Sequence, residues 1–299
     1  RAALPAARSL GRALVARHAG LLVIVALFGV LGLIYSVTTP ILEASDEAFH
    51  FALVEHLGRG GALPVQSPDN VGPWRQEGSQ PPLYYALSGL LTRWVDTSDW
   101  AEVHRLNPHA DLGVVNPDRN LNIVVHTPRE RFPWRGTVLA VHLVRGLSVL
   151  MGMVTVVAGY ALARAALPGD GAVALGAAAL TAFNAQYLFI SGSVNNDALV
   201  IMLCALALWL MVRAVSRPPT AAGWALLGVV LGLAALTKAS AMGMFALAAL
   251  LGAYHARRAR SWRLLVEAGL LIGLPALAVS GWWFLRNWRL YGDPLGLNA

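Results

Sequence analysis

AGLLVIVALFGVLGLIYSV, residues 19–37, carries no charged side chain over 19 residues. As a helix rising about 1.5 Å per residue it reaches roughly 28 Å, close to the thickness of a bilayer's hydrocarbon core. The stretch before it holds Arg1, Arg8, Arg12 and Arg17. A cleaved signal peptide is the rival reading. The run is long for one, lacks a small-residue cleavage site and leads into an acidic segment, so it is read as a retained span with a cytoplasmic tail before it.

The rest of the chain repeats that character. Of 299 residues 57% are hydrophobic and 13% charged, and the mean hydropathy is +0.56, too apolar for a domain covered by water. Further spans are expected at 137–165, 171–190, 198–212, 222–236, 239–254 and 264–285. The fold class is therefore an all-α integral membrane protein of about seven transmembrane helices, with one large helical extracytoplasmic loop between the first and second. Residues 1–18 form the tail, 19–40 the first span, 41–136 the loop and 137–299 spans two to seven with the start of a further outer loop. A C-terminal continuation is expected beyond Ala299. The whole reads as one membrane domain.

A net charge of +7 with a pI near 10.2 points to nucleic acid in a soluble protein, but here the cations sit at span ends. Arg164, Arg213, Arg217, Arg257, Arg258, Arg260 and Arg263 fall on the side of the tail, which makes that side cytoplasmic. Twelve of the 16 acids lie in 41–136, the outer loop. Long loops of this kind are usually functional. One helix is expected after Ser45, with Phe49, Leu53 and Leu57 on one face and Gly58, Gly60 and Gly61 ending it. Another opens at Pro81-Pro82 and presents Leu87, Leu90 and Leu91 to a membrane surface. Turns are expected at Asn107-Pro108, Asn116-Pro117 and Phe132-Pro133. The single cysteine, Cys204, lies in an apolar run and forms no internal disulfide.

The chemistry concentrates at the outer face. Glu43-Ala44-Ser45-Asp46-Glu47-Ala48-Phe49-His50 places three carboxylates and an imidazole just past the first span. A carboxylate there can take a proton from an acceptor hydroxyl or amine. The plainer reading is a cap: Ser45 at the helix start with Asp46 and Glu47 in its first turn. Gln80, held before Pro81-Pro82, can position a polar ligand, whereas Tyr84 and Tyr85 read first as interfacial anchors. Asn196 and Asp197 make a turn and cap the next span, on the same face as Asp46. Lys238, the sole lysine, and Arg286 oppose the positive-inside trend and call for an anionic partner such as a lipid phosphate. Arg145, inside the second span, needs a buried partner too, and His142 beside it reads as a packing residue. No His/Cys metal signature, phosphate-cradling Gly-rich loop or Gly-x-Ser-x-Gly elbow is present. A divalent ion, Mg or Mn, on Asp46, Glu47 or Asp197 stays open.

In order and location, Ser45-Asp46-Glu47 with His50, Gln80-Pro81-Pro82-Leu83-Tyr84-Tyr85, Asn195-Asn196-Asp197-Ala198, Leu236-Thr237-Lys238 and Arg286-Asn287 with Tyr291-Gly292-Asp293-Pro294 resemble the GT-C superfamily of membrane glycosyltransferases. The likeness is to bacterial relatives of protein O-mannosyltransferases and of the lipid A aminoarabinose transferase. The resemblance implies a polyprenyl-phosphate-linked sugar as donor and an extracytoplasmic protein, lipid or glycan as acceptor. It implies Asp46 as catalytic carboxylate with Glu47 assisting or positioning, and Lys238, Arg286 and, less securely, Arg145 on the carrier phosphate. His50, Gln80, Tyr84, Tyr85, Asn196 and Asp197 would line the substrate. A lipid-linked-sugar flippase or a cell-envelope polysaccharide polymerase or ligase are the competing readings. A transporter needs no acidic loop of roughly a hundred residues, and no inverted repeat is visible.

Overall fold

A computed structural model describes residues 3–67, 71–110 and 122–296, and side chains from residue 18 onward. Arg1 and the turn expected at Asn116-Pro117 lie outside the described residues, as do the side chains of Arg8, Arg12 and Arg17. The described chain is helical, with one isolated bridge between Leu106 and Val124 and no strand.

Helix α1 (Ala3–Thr38) contains a non-helical residue, His18, after which His18–Thr38 forms the first apolar span. The outer segment supplies α2 (Glu47–Gly58), α3 (Leu83–Thr92) and a one-turn α4 (Trp100–Val103). Then come α5 (Gly136–Ala166), α6 (Gly171–Ala182), α7 (Ala185–Ser191), α8 (Asp197–Ser216), α9 (Ala221–Ala235), α10 (Gly243–Arg258) and α11 (Trp262–Tyr291).

Among the described residues five helices are long and apolar enough to cross a membrane: His18–Thr38, Gly136–Ala166, Asp197–Ser216, Ala239–Arg258 and Trp262–Tyr291. The span expected at 171–190 is instead two helices bent by 61°, α6 and α7, which make a sixth crossing if taken as one. The break has a local cause: Asn184 accepts a hydrogen bond from the Tyr187 amide and starts α7 as a new helix. The expected fifth span, 222–236, is α9, whose 15 residues reach only about 22 Å. The count of seven is thus not met by length and composition alone.

Leucines on the spans point outward, Leu180 and Leu250 among them, as suits helices whose solvent is hydrocarbon. Close approaches between helices rest on glycine. Gly228 and Gly232 of α9, four residues apart, lie against the backbone of α11 at Ile272 and Ala276. A Cβ at Gly232 would stand 2.9 Å from Ala276. This small-xxx-small contact lets two helices meet backbone to backbone, where packing rather than hydrophobicity holds them together.

The outer segment is not an appendage. Leu42, Phe51, Leu53, Val54, Tyr84 and Tyr85 share one core with Val141 and Val144 of α5 and with Val194 and Leu203 at and within α8. The helix expected from Phe49, Leu53 and Leu57 is α2, and it is buried over most of its circumference rather than along one stripe. On α3 the expected surface face is present: Leu87, Leu90 and Leu91 are exposed while Tyr84, Tyr85 and Ser88 are buried.

Candidate functional site

A fully enclosed ion pair joins the outer segment to α5. Glu47 and Arg145 are both fully enclosed, and Arg145 Nε and Nη2 donate to the two Glu47 oxygens at 2.8 and 2.5 Å. The same carboxylate accepts the amides of Leu42 at 2.9 Å and Val194 at 2.7 Å. Arg145 spends its remaining donors on the carbonyls of Ser36, Thr39 and Pro40 at 2.5 to 2.9 Å, where α1 ends and its dipole is negative. All five guanidinium N–H groups are therefore taken. Two expectations are corrected here: Arg145 has no donor left for a carrier phosphate, and Glu47 cannot reach a substrate. The partner that Arg145 required is Glu47, which ties the ends of α1, α5 and α8 to the start of α2.

Its neighbour faces the other way. Asp46 adopts a left-handed conformation (φ 57°), and its main-chain carbonyl accepts the amides of Phe49 and His50 at 2.9 Å each. No side chain caps α2, so the cap reading of Ser45 and Asp46 does not hold. The Asp46 carboxylate is exposed and makes no hydrogen bond among the described residues. Glu43 is used structurally, accepting the amides of Ile123 and Val124 and contacting His126.

Behind Asp46 lies a buried chain of three groups. The Tyr85 hydroxyl donates to Glu77 Oε2 at 3.0 Å, and His50 Nδ1 stands 2.9 Å from the same hydroxyl and 3.3 Å from Glu77. Burial, reinforced by the positive field of Lys238, lowers the His50 ring to about 3, so the imidazole is neutral and the Glu77 contact is no ion pair. With Tyr85's one proton directed at Glu77, His50 Nδ1 must be the donor to the Tyr85 oxygen. Glu77 is pushed above the ordinary carboxylate range, by burial first and by the negative charge of Asp46 among the further causes, while the Tyr85 hydrogen bond and Lys238 oppose the shift. Burial also raises the Tyr85 hydroxyl.

The segments expected to converge do so through named bonds. The Leu83 amide donates to the Leu236 carbonyl at 3.1 Å, fastening the stretch after Pro81-Pro82 to the end of α9. Lys238 Nζ reaches Asp197 Oδ1 at 2.6 Å, and Asn196 Nδ2 leans on the Thr237 carbonyl at 3.4 Å. The acid that Lys238 needed is thus Asp197, 41 residues away in the chain. That pair is about one-third exposed, so two ammonium N–H groups remain beyond Asp197.

Other expected ligands are placed differently. Tyr84 and Tyr85 are fully buried rather than interfacial: the Tyr84 hydroxyl meets Ser148 Oγ at 2.9 Å and accepts the Asn195 amide at 3.1 Å. His50 and Asn196 are enclosed too, and Asn196 Oδ1 has no hydrogen-bond partner. None of these four can touch a substrate directly. Gln80 is half-buried, in extended conformation after the short helix Arg75–Ser79 that carries Glu77. Arg286 is half-buried over the Trp283 ring, and its Nη2 donates to the carbonyls of Leu63 and Pro64 at 3.2 and 2.6 Å. Tyr291, one turn on, accepts the Gln66 amide at 3.0 Å. Gly296 lies between Asn287 and Ser79, linking the end of α11 to the Glu77 segment.

Sequence reasoning missed Glu77. Its signal was its place two turns before the tyrosine pair, in an acid-rich loop where no single carboxylate stood out. Among the described residues no three His, Cys, Asp or Glu side chains gather to hold a metal ion. Of the three carboxylates considered for a divalent ion, Glu47 has its oxygens filled and Asp197 is paired with Lys238.

Compared with known proteins, residues 140–283 match the family model described as dolichyl-phosphate-mannose-protein mannosyltransferase. The match begins inside α5 and ends inside α11. It takes in Arg145, Asn196, Asp197 and Lys238, and leaves out Asp46, Glu77 and Arg286. No curated protein and no solved structure matches the chain.

Proposed function

We propose that this chain, whose residues 140–283 match the mannosyltransferase family model, is a multi-pass membrane glycosyltransferase of the GT-C type that transfers a sugar from a polyprenyl-phosphate carrier to an extracytoplasmic protein, lipid or glycan, with Asp46 as the base. The observation that supports this reading is the bond from the Leu83 amide to the Leu236 carbonyl, which fastens the stretch after Glu77 to the segment that carries Lys238. Asp46 stands at the start of the helix whose His50 meets Tyr85 and Glu77.

In the proposed reaction an acceptor hydroxyl attacks the anomeric carbon while Asp46 takes its proton. The bond from that carbon to the carrier phosphate oxygen breaks, and the phosphate departs with the electron pair. Lys238, with two free N–H groups and held in place by Asp197, lies where negative charge grows on the phosphate. An exposed, unbonded carboxylate suits a group that must gain and lose a proton each cycle. Glu47, His50, Tyr84 and Tyr85 act behind this pair by holding α2 and α3 in register. Arg286 fits a role at the mouth of the site, where it fixes residues 63–66 beside the end of α11.

The depth of α9 supports seven crossings. Helix α8 runs 20 residues from Asp197, and the chain returns to place Lys238 against Asp197. Helix α9 covers about 22 Å of the depth of α8, and the non-helical stretch Leu236-Thr237-Lys238 completes the return. The arginines at the far end put the tail on the cytoplasmic side, and the first crossing then puts the acid-rich segment outside.

The test is transfer from a radiolabelled polyprenyl-phosphate sugar by the purified protein. Wild type should release polyprenyl phosphate and label an acceptor, and Asp46→Asn should do neither. Full transfer by Asp46→Asn removes Asp46 from the mechanism.

A further inference from the structure

At the end of the bundle away from Asp46, charge and cavities combine in a way the transfer reaction does not use. Seven arginines gather there, at 164, 213, 217, 257, 258, 260 and 263, against two acids, Asp170 and Glu267. Asp170 caps α6 through the Val173 amide. Every ion pair among the described residues lies in the outer segment, at Glu47–Arg145 or at Asp197–Lys238, and none involves these arginines. Arg258 Nη1 donates to the Tyr254 hydroxyl at 3.0 Å and Arg213 stands over the Trp209 ring, so what these arginines lack among the described residues is a carboxylate.

The arginines are not spread evenly. Helix α8 turns into α9 through Arg217-Pro218-Pro219-Thr220, and a cavity opens on each side of that turn. One, of about 300 Å³, has Arg213, Arg217 and Thr220 at its polar end and Leu210, Leu226 and Leu227 along its wall. The other, of about 210 Å³, is bounded by Arg258, His255, Trp224 and Leu264. Pro218 and Pro219 line both. Two rigid prolines thus hold cations on either side of one ridge. Each cavity grades from guanidinium to aliphatic wall, and Leu226 is half exposed on the outside of the helix.

We infer that this ridge binds an anionic phospholipid, its phosphodiester between Arg213, Arg217 and Arg258 and an acyl chain along Leu210 and Leu226. A soluble phosphate would use the arginines but not the leucine wall. A neutral lipid would use the wall but leave the cations unpaired. Only an amphiphile carrying net negative charge uses both. The site is separate from the proposed transfer site, and its occupation is read without measuring transfer.

The test uses the full chain in a neutral detergent, with native mass spectrometry of titrations with phosphatidylglycerol or phosphatidylcholine. Wild type should retain phosphatidylglycerol over phosphatidylcholine. Arg213→Gln, Arg217→Gln and Arg258→Gln should each lower that preference about fivefold, and the three together on the order of a hundredfold. The control is Arg257→Gln with Arg260→Gln and Arg263→Gln, which removes equal charge from the same end without touching either cavity and should keep the preference. Equal loss in the control overturns the site in favour of a diffuse positive face. Full displacement of the lipid by millimolar inorganic phosphate overturns the lipid reading in favour of a phosphate site. Should the triple variant fail to run as a single species on gel filtration, the exposed single Arg217→Gln decides: an unchanged preference refutes the inference.

Discussion

Asp46 and Glu47 are adjacent, chemically alike and, on this structure, opposite in what their loss should do. Glu47 accepts four hydrogen bonds, two from Arg145 and one each from the Leu42 and Val194 amides, in a fully enclosed setting. In Glu47→Gln one oxygen becomes an NH2 group, so half of these donors meet a donor, and the buried guanidinium loses its counter-charge. Removing one partner of a buried pair costs about 3–5 kcal/mol. At a few degrees per kcal/mol for a chain of this size, the melting point should fall on the order of 10 °C. Asp46→Asn removes no bond among the described residues and should melt with wild type. Its transfer rate should drop at least ~100-fold, the contribution expected of a general base. The assay is the fraction of monodisperse protein surviving a heating series in detergent, run beside transfer from labelled carrier at a temperature where every variant is folded. A Glu47→Gln protein melting within about a degree of wild type would refute the clamp. So would equal destabilisation of both variants, since only Glu47 is enclosed and bonded.

Lys238→Ala should weaken carrier binding at least ~10-fold while leaving the melting point nearly unchanged, because its pair with Asp197 is about one-third exposed and such pairs contribute little; binding of labelled carrier by scintillation proximity decides. His50, held at about 3 in the folded protein against 6.5 in the unfolded chain, binds fewer protons when folded across that window, so stability falls as pH drops from 6.5 toward 3. His50→Asn should reduce the slope by up to about 1.4 kcal/mol per pH unit, read from urea or thermal unfolding at successive pH values. Glu77 acts with the opposite sign: its raised folded value gives stability present below the ordinary 4.5 and lost as pH rises through the folded value, so Glu77→Gln should steepen the acid loss. Gly232→Leu should separate α9 from α11 and abolish the folded species, whereas Gly243→Ala, with open space around the added methyl, should be neutral on gel filtration.

The helical scaffold was largely legible from hydropathy, and for a physical reason. The span expected at 137–165 differs from α5 by one residue at each end, because an apolar stretch in lipid ends where charge begins. The span at 171–190 hid a 61° bend, since one Asn amid apolar residues carries no periodic signal until its side chain is seen capping Tyr187. In the site, the segments that meet were readable and the role of each residue was not. Nothing in the order Asp46-Glu47 tells which carboxylate turns inward; that depends on a left-handed residue at 46 and on an arginine 98 positions away. Likewise a tyrosine pair after two prolines suits a membrane surface as well as a core, and only the packing of Tyr84 on Ser148 separates the two.

The bond from the Leu83 amide to the Leu236 carbonyl fastens the outer segment to the end of α9 without using a side chain at either position. Any residue but one can therefore stand at 83 and keep the fastening. A third consecutive proline after Pro81-Pro82 would have no hydrogen to give, and the stretch carrying Gln80 would come away from Lys238 while every charged group stayed intact. The bond thus asks only for an amide hydrogen at 83, while the Leu83 side chain, packed against the shared core, answers a separate demand for apolar bulk.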